Sequence, residues 1–254
     1  MVSTEGYEES EKEHWNESVE SIDRYSSVGI QGFPTIINKY RKKSLFPIIT
    51  NELNNRGIQI DSTKILDAGC GTGIYSEWYA KSGADVVGID LSDSAIENIK
   101  ELDISGTYQQ SSLDDLSFPD DTFDIVHSFS VLYHIVDDND WEQALMEMAR
   151  VLKPGGLMLL RIDWVDQTER VTERRKIRNK QAYLNIFHKN GLSVDSVQSF
   201  PDQPMFKKLT TRLPSKNIPL VSQIASIFPH LAVSLGLFKE SDVERLIVLK
   251  NKGR

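Results

Sequence analysis

A single cysteine, Cys70, stands in 254 residues, so no disulfide can close within the chain. With five histidines and no Cys/His cluster, no pattern for structural zinc is present either. Basic charge is also in deficit: 29 Lys+Arg meet 37 Asp+Glu, a net charge of -8. That balance argues against nucleic acid as the main partner, because phosphate binding needs a basic surface. The N-terminal stretch MVSTEGYEESEKEHW is acidic and polar and does not read as a signal peptide, so the expected location is cytoplasmic. Internal repeats and low-complexity segments are missing. Residues 218–238 carry no Asp, Glu, Lys or Arg, and 21 residues is long enough to span a bilayer. Pro219, Pro229, Gln223, His230 and several serines make a span a poor reading of that run.

What is present is an apolar fraction of 39%, enough for a sizeable core, and a length that suits one α/β domain with appended segments. Charge is distributed unevenly: from Asp163 to Arg254 there are 16 Lys+Arg and 9 Asp+Glu, while the rest of the chain is strongly acidic. The split points to an anionic partner for the C-terminal third, or to nothing more than uneven solvated faces.

Hydrophobic spacing from Ile36 to Leu53 predicts helical material ahead of the core, bent at Pro47. A regular alternation follows. Strands are expected at Lys64–Asp67, Asp85–Asp90, Thr107–Gln110, Phe123–Phe129 and Leu157–Ile162. Helices are expected over Ile74–Lys81, after an N-cap at Ser92, and over Trp141–Leu152, where Pro154-Gly155-Gly156 ends the run. Alternating strands and helices imply parallel βαβ units with helices on both sheet faces. After Asp163 a helix containing Ala182, Tyr183 and Phe187, then strands at Leu192–Phe200 and Glu244–Lys250, would complete the sheet. Arg170, Arg174, Arg175, Lys176, Arg178 and Lys180 read most simply as a solvated helix, with an acidic substrate as the other use of such a run.

The stretch Ile65-Leu66-Asp67-Ala68-Gly69-Cys70-Gly71-Thr72-Gly73 carries the chemistry. A strand runs into a glycine turn that lets a ligand approach bare backbone, and the following helix offers free N–H groups and a partial positive charge. Asp90 lies 17 residues after Gly73, at the end of the next strand, where a carboxylate accepts from both ribose hydroxyls. The spacing is Gly-x-Gly-x-Gly, and Ile74 stands where the dinucleotide fingerprint has its third glycine. An acid two residues before the first glycine would repel a pyrophosphate and suit an ammonium group. An NAD-dependent oxidoreductase is therefore the less favoured enzyme reading.

This stretch resembles motif I of the class I S-adenosylmethionine-dependent methyltransferases. Val86-Val87-Gly88-Ile89-Asp90-Leu91-Ser92, Phe118-Pro119-Asp120-Asp121-Thr122-Phe123-Asp124-Ile125-Val126 and Arg150-Val151-Leu152-Lys153-Pro154-Gly155-Gly156 resemble later segments of the same family, in the same order, between residues 64 and 162. The resemblance implies a Rossmann-like, doubly wound, mostly parallel seven-stranded sheet, and S-adenosylmethionine as cofactor. Residues 1–63 would form a helical cap, 64–162 the cofactor-binding core, and 163–254 a sheet completion with a helical lid or insertion at about 201–243. It places Asp67 near the methionine ammonium, Gly69, Cys70, Gly71 and Gly73 along the cofactor, Asp90 and Leu91 at the ribose, Ser112 and Leu113 at the adenine, and Ser128 with Phe129 at the methionine end. Relatives often carry aspartate where Ser112 stands, so Asp114 is an alternative adenine contact. For Gly73 the other reading is helix–strand packing, and for Cys70 a small buried filler without a paired base.

The resemblance puts the crevice between the first and fourth strands, so residues just after the fourth face the reaction. His134 is the first candidate for a base or acceptor orienter, Tyr133 for a pocket wall or acceptor hydrogen bond, and Asp163 for another base. His127 reads as a satisfied core histidine. His14, Trp15 and Tyr25 could close over the cofactor from the cap. Asp137, Asp138 and Asp140 suit a helix N-terminus better than a metal site. The acceptor is expected to be a small or amphiphilic molecule methylated at oxygen, nitrogen or carbon. A protein or membrane-associated lipid acceptor, or a cofactor-binding protein without turnover, are the alternatives. Residues 207–238, with Lys207, Lys208, Arg212 and Lys216 ahead of two amphipathic stretches, would be a lid, a peripheral membrane contact or an interface, in a monomer or homodimer.

Overall fold

The computed structural model describes residues 4–19, 24–25, 39, 42–163, 165–201 and 243–253. The run 207–238, with its basic approach and amphipathic stretches, lies outside them, as do most of residues 26–41. Within them, helix α1 (Thr4–Val19) and helix α2 (Leu45–Asn54) precede the sheet. Then come β1 (Lys64–Ala68), α3 (Ile74–Lys81), β2 (Asp85–Asp90), α4 (Asp93–Glu101), β3 (Thr107–Gln110), β4 (Phe123–Phe129), α5 (Asp138–Val151) and β5 (Leu152–Ile162). A short hairpin, β6 (Glu169–Thr172) and β7 (Arg175–Ile177), leads to α6 (Lys180–Lys189), β8 (Leu192–Pro201) and β9 (Val243–Asn251).

The sheet has seven strands in the order β3-β2-β1-β4-β5-β9-β8. Pairings from β3 through β5 are parallel, whereas β9 lies antiparallel to both β5 and β8. Strand order reverses between β1 and β4, which is where open α/β sheets leave a crevice beyond the strand ends. The dinucleotide-binding order, 3-2-1-4-5-6, has no antiparallel strand inserted after the fifth. Topology thus separates this sheet from the oxidoreductase reading.

Alternation along the strands explains the two layers of core. Leu66, Val126, Met158, Leu160 and Ile247 point to one face, against Trp141, Leu145 and Met148 of α5 and Tyr183 and Phe187 of α6. Their neighbours Ile65, Ile125, Leu157, Leu159, Leu246 and Val248 point to the other, against Leu45, Ile49 and Leu53 of α2 and Tyr75 and Tyr79 of α3. Period-two side-chain direction makes unbroken apolar strands the natural filling between two helical layers.

The N-caps follow local chemistry. Ser92 accepts from the Ala95 N–H, Asn179 from the Ala182 N–H, and Asp137 from the Asn139 and Asp140 N–H groups. Asp137 thereby serves a helix start, the use that its place ahead of α5 suggests.

One expectation is overturned. The basic run 170–180 is not a solvated helix: it forms the β6–β7 hairpin and the entry to α6, and Arg178 is among the largest fully buried side chains. Arg178 donates to the carbonyls of Ile135, Val136 and Asp137 and to the Asp138 carboxylate, and its guanidinium lies 4.5 Å from the Trp141 ring centroid. A loop with several free carbonyls binds a guanidinium better than water does, so the charge is drawn inward. Among the described residues, no helix is long and apolar enough to cross a membrane.

Candidate functional site

The turn after β1 is held open by glycines in the left-handed region: φ is 84° at Gly69, 52° at Gly71 and 69° at Gly73. A side chain at Gly69 would put a Cβ 2.2 Å from Val131 Cγ2, so the backbones after β1 and β4 come together only because the residue is glycine. A Cβ at Gly73 would meet Ile99 and Ile104 at about 3 Å. Gly73 is thus tied to packing between the start of α3 and the α4 end. The Cys70 thiol is buried, its pKa pushed well up by burial and by the nearby Asp90 and Asp67 carboxylates. It is a poor nucleophile, and its main-chain N–H serves the turn by donating to the Ile89 carbonyl at 2.9 Å.

Asp90 ends β2 facing this turn. One carboxylate oxygen accepts from the Gly71 N–H at 2.7 Å, the other from the Ser92 N–H at 3.0 Å. Burial raises its pKa, and the Ser92 and Gly71 N–H bonds work against that rise. Each oxygen has one lone pair so occupied and another left for a ligand hydroxyl. The Leu91 carbonyl accepts from Gln110 Nε2 at 3.4 Å. Beyond β3, the Ser112 hydroxyl donates to the Asp114 carboxylate, so these two alternatives for one contact act as a pair. Leu113 is buried in the core on the α5 side.

Asp67, near the end of β1, is enclosed by side chains of α3 and β4. It is 1% exposed, with Oδ2 accepting from Ser76 Oγ at 2.6 Å and Oδ1 lying 3.1 Å from His127 Nδ1. His127 is fully buried among Tyr75, Tyr79 and Phe129, and its Nε2 has no partner among the described residues. It is only half satisfied, unlike the core histidine expected from sequence. Ser128 also sits in the strand interior, opposite Leu160, with a buried hydroxyl lacking a partner among the described residues.

The loop after β4 gathers the acceptor-side candidates. His134 N donates to the Val131 carbonyl in a tight turn, and His134 Nδ1 lies 3.1 Å from the Arg174 carbonyl oxygen. A carbonyl only accepts, so Nδ1 carries the hydrogen and Nε2 presents a lone pair. Burial, opposed by that hydrogen bond and aided by the Arg175 and His14 charges, pulls the His134 pKa down to about 4. His134 is therefore neutral near pH 7 and a weak base. Tyr133 packs beside it with ring centroids 4.4 Å apart, and the Arg175 guanidinium lies 4.7 Å from the Tyr133 ring centroid. Asp163 pairs with Arg175 Nη2 at 3.2 Å.

The N-terminal segment bridges both halves. From α1, Lys12 pairs with Asp93 at 2.7 Å and Asn16 Oδ1 accepts from the Ser92 hydroxyl at 2.7 Å, beside the ribose-side acid. Trp15 meets His134 edge-on at 4.6 Å, next to His14, and Arg174 reaches Ser10 and Glu11. Further along, Arg24 donates to the carbonyls of Thr72 (2.7 Å) and Gly73 (2.6 Å) and to Glu77 Oε2 (2.5 Å), while the Thr72 hydroxyl donates back to the Arg24 carbonyl. Of the three cap residues singled out from sequence, Trp15 touches an acceptor-side candidate directly. Arg24, Ser76 and Arg175 were not singled out for the site: their roles come from contacts 48, 9 and 12 residues away, which no local spacing encodes.

A reversed strand order, a bare-backbone turn after β1 and an acid closing β2 define a Rossmann-like domain of the nucleoside-binding kind. Comparison with known proteins narrows it: residues 66–160 match the family described as "Methyltransferase domain". An uncharacterized methyltransferase of Synechocystis sp. is 39% identical over 97 residues, 38% of this chain and 45% of that one. A ubiquinone biosynthesis O-methyltransferase of Alkalilimnicola ehrlichii is 34% identical over 102 residues, 38% of this chain and 40% of that one. The chain thus matches less than half the length of these curated relatives. The crystal structure of magnesium protoporphyrin IX methyltransferase from Synechocystis PCC 6803 with bound S-adenosylmethionine superposes with a TM-score of 0.62, at 15% identity over 96% of both chains. Residues 66–160 thus resemble a methyltransferase domain.

Proposed function

We propose that this chain transfers the methyl group of S-adenosylmethionine to a hydroxyl of a small organic acceptor. The observation that carries the reading is the pairing of a glycine turn, closed against Val131, with Asp90, whose carboxylate is already aimed by the Gly71 and Ser92 N–H groups. These residues fit the nucleoside: a turn that a Cβ would fill, and an acid with two lone pairs free for vicinal hydroxyls. Bound there, the cofactor supplies an electrophilic methyl group on a sulfonium.

In this reading the protein positions and shields. Asp90 holds the ribose end. Asp67 acts from inside, tied by Ser76 and His127, and lends negative charge to the methionine end through the turn backbone. Gly69, Cys70 and Gly71 give the main chain that lies along the cofactor, Gly73 sets the entry of α3, and the Ser112–Asp114 pair with Leu113 takes the adenine side. Ser128, at the end of β4, belongs to the methionine side. Helix α1 excludes water from above, with Trp15 against His134.

The neutral His134, with Nε2 as acceptor, orients a hydroxyl toward the methyl group. A pKa of about 4 makes full proton removal before transfer unfavourable, so His134 chiefly orients the hydroxyl, and its Nε2 takes the proton only as the new C–O bond forms. The names of the matched relatives, an O-methyltransferase of ubiquinone biosynthesis and a porphyrin methyltransferase, support small organic acceptors over nucleic acid.

Calorimetric titration with S-adenosylmethionine tests the reading. The wild-type chain is expected to bind in the micromolar range, and Asp90→Ala to bind at least about tenfold more weakly, a loss of about 1.4 kcal/mol or more. Equal affinity of the two chains would remove Asp90 from the site. No binding by the wild type would end the methyltransferase reading.

A further inference from the structure

The basic hairpin leaves one cation under-used. Among the hairpin-region cations at 174–178, Arg174 is taken by Ser10 and Glu11, Lys176 by Asp138, and Arg178 by three carbonyls and Asp138. Arg175 makes one ion pair, through Nη2 to Asp163 at 3.2 Å, and lies over the Tyr133 ring. Its Nε is buried and has no acceptor among the described residues. The Nε and Nη2 hydrogens of an arginine lie side by side on one edge, the edge that a carboxylate fills with two parallel bonds. Asp163 occupies half of it.

That half-filled edge stands at the acceptor side of the site. Tyr133, under the guanidinium, adjoins His134, and His134 feels the Arg175 charge. We propose that Arg175 is the specificity-determining residue for the acceptor, and that the acceptor carries a carboxylate which docks on the Arg175 guanidinium while its hydroxyl faces His134. This inference rests on the methyltransferase reading and adds the acceptor's chemical class to it. Tyr133 stiffens the guanidinium from below, and Asp163 holds it in place until the acceptor carboxylate takes the free Nε–H.

The test compares 4-hydroxybenzoate with 4-hydroxybenzamide, which match in shape and differ in charge, by calorimetry on the full chain saturated with S-adenosylhomocysteine. The wild type is expected to bind the benzoate at least tenfold more tightly. Arg175→Gln is expected to abolish that preference while keeping S-adenosylhomocysteine affinity. Arg175→Lys, a point charge without the fork, is expected to keep a reduced preference. Asp163→Asn, which frees the whole edge, is expected to bind the benzoate more tightly than the wild type, an outcome that a misfolded variant cannot produce. Equal binding of the two probes to the wild type, including no binding of either, overturns the proposal, as does a preference that survives in Arg175→Gln or a loss of benzoate binding in Asp163→Asn. Failure to bind S-adenosylhomocysteine at all would instead overturn the methyltransferase reading on which the proposal stands.

Discussion

At Gly69 the site depends on an atom that is not there. An alanine would carry its Cβ into Val131 and would hold a φ of 84° that an L side chain tolerates poorly. Left-handed backbone costs roughly 1–2 kcal/mol and overpacking roughly 1–3 kcal/mol, so Gly69→Ala should destabilise the fold by about 2–5 kcal/mol. It should also lower S-adenosylmethionine affinity by at least about tenfold. Two separable causes make a second variant informative: Gly69→Ala with Val131→Ala removes the clash and leaves the strain. Calorimetry should show part of the affinity regained, and no regain would mean that backbone strain alone is responsible. Gly69 and Asp90 were both legible in the sequence, because a turn's glycine and a strand-end acid act through their own backbone position. The enclosure of Asp67 was not legible. Its partners, Ser76 and His127, come from α3 and β4, and only the folded sheet brings a residue at 127 beside one at 67.

Elements were read well wherever one physical signal dominated. The apolar runs at 64–67, 85–90, 123–129 and 157–162 each lie in a strand, the last of which starts earlier, at Leu152, and Ser92 caps its helix. In the 170–180 segment charge is no sign of solvation. Arg178 is charged and buried at once, its four hydrogen bonds going to the loop ahead of α5 and to Asp138. Arg178→Met keeps length and apolar volume but leaves the Ile135, Val136 and Asp137 carbonyls without their donor. Removing one partner of such a buried network costs about 3–5 kcal/mol, far more than the fraction of a kcal/mol expected for a solvated charge. Urea unfolding of Arg178→Met should therefore show a large fall in midpoint with an unchanged slope. A change of less than about 0.5 kcal/mol would restore the solvated reading. The cap was legible only in outline. Polar residues at 4–19 offer no core-facing stripe, so nothing local announces that Lys12, Asn16 and Trp15 fasten α1 across the strand ends.

For the whole molecule, the sheet order follows from alternation and from right-handed crossovers through β5, but the place of the last two strands does not. The antiparallel insertion of β9 between β5 and β8 brings residue 247 beside residue 160, and nothing in either strand's composition specifies that pairing. The closed arrangement around the strand ends has a thermodynamic consequence at His134. Its pKa is about 4 in the fold, below the ordinary 6.5, because burial between the β4 loop and α1 disfavours the imidazolium. Above pH 6.5 neither state holds the proton and the stability is fully present. As the pH falls from 6.5 toward 4 the unfolded chain takes up a proton that the folded chain refuses, and stability declines. Below 4 the contribution is gone. At about 1.36 kcal/mol per pKa unit, the whole loss is roughly 3 kcal/mol at most. His134→Gln, which can still donate to the Arg174 carbonyl and does not titrate, should flatten the stability curve between pH 6.5 and 4 relative to wild type, with urea midpoints as the measure. Curves that stay parallel through that window would mean that the loop opens to solvent at little cost. The water exclusion assigned to α1 would then be lost with it.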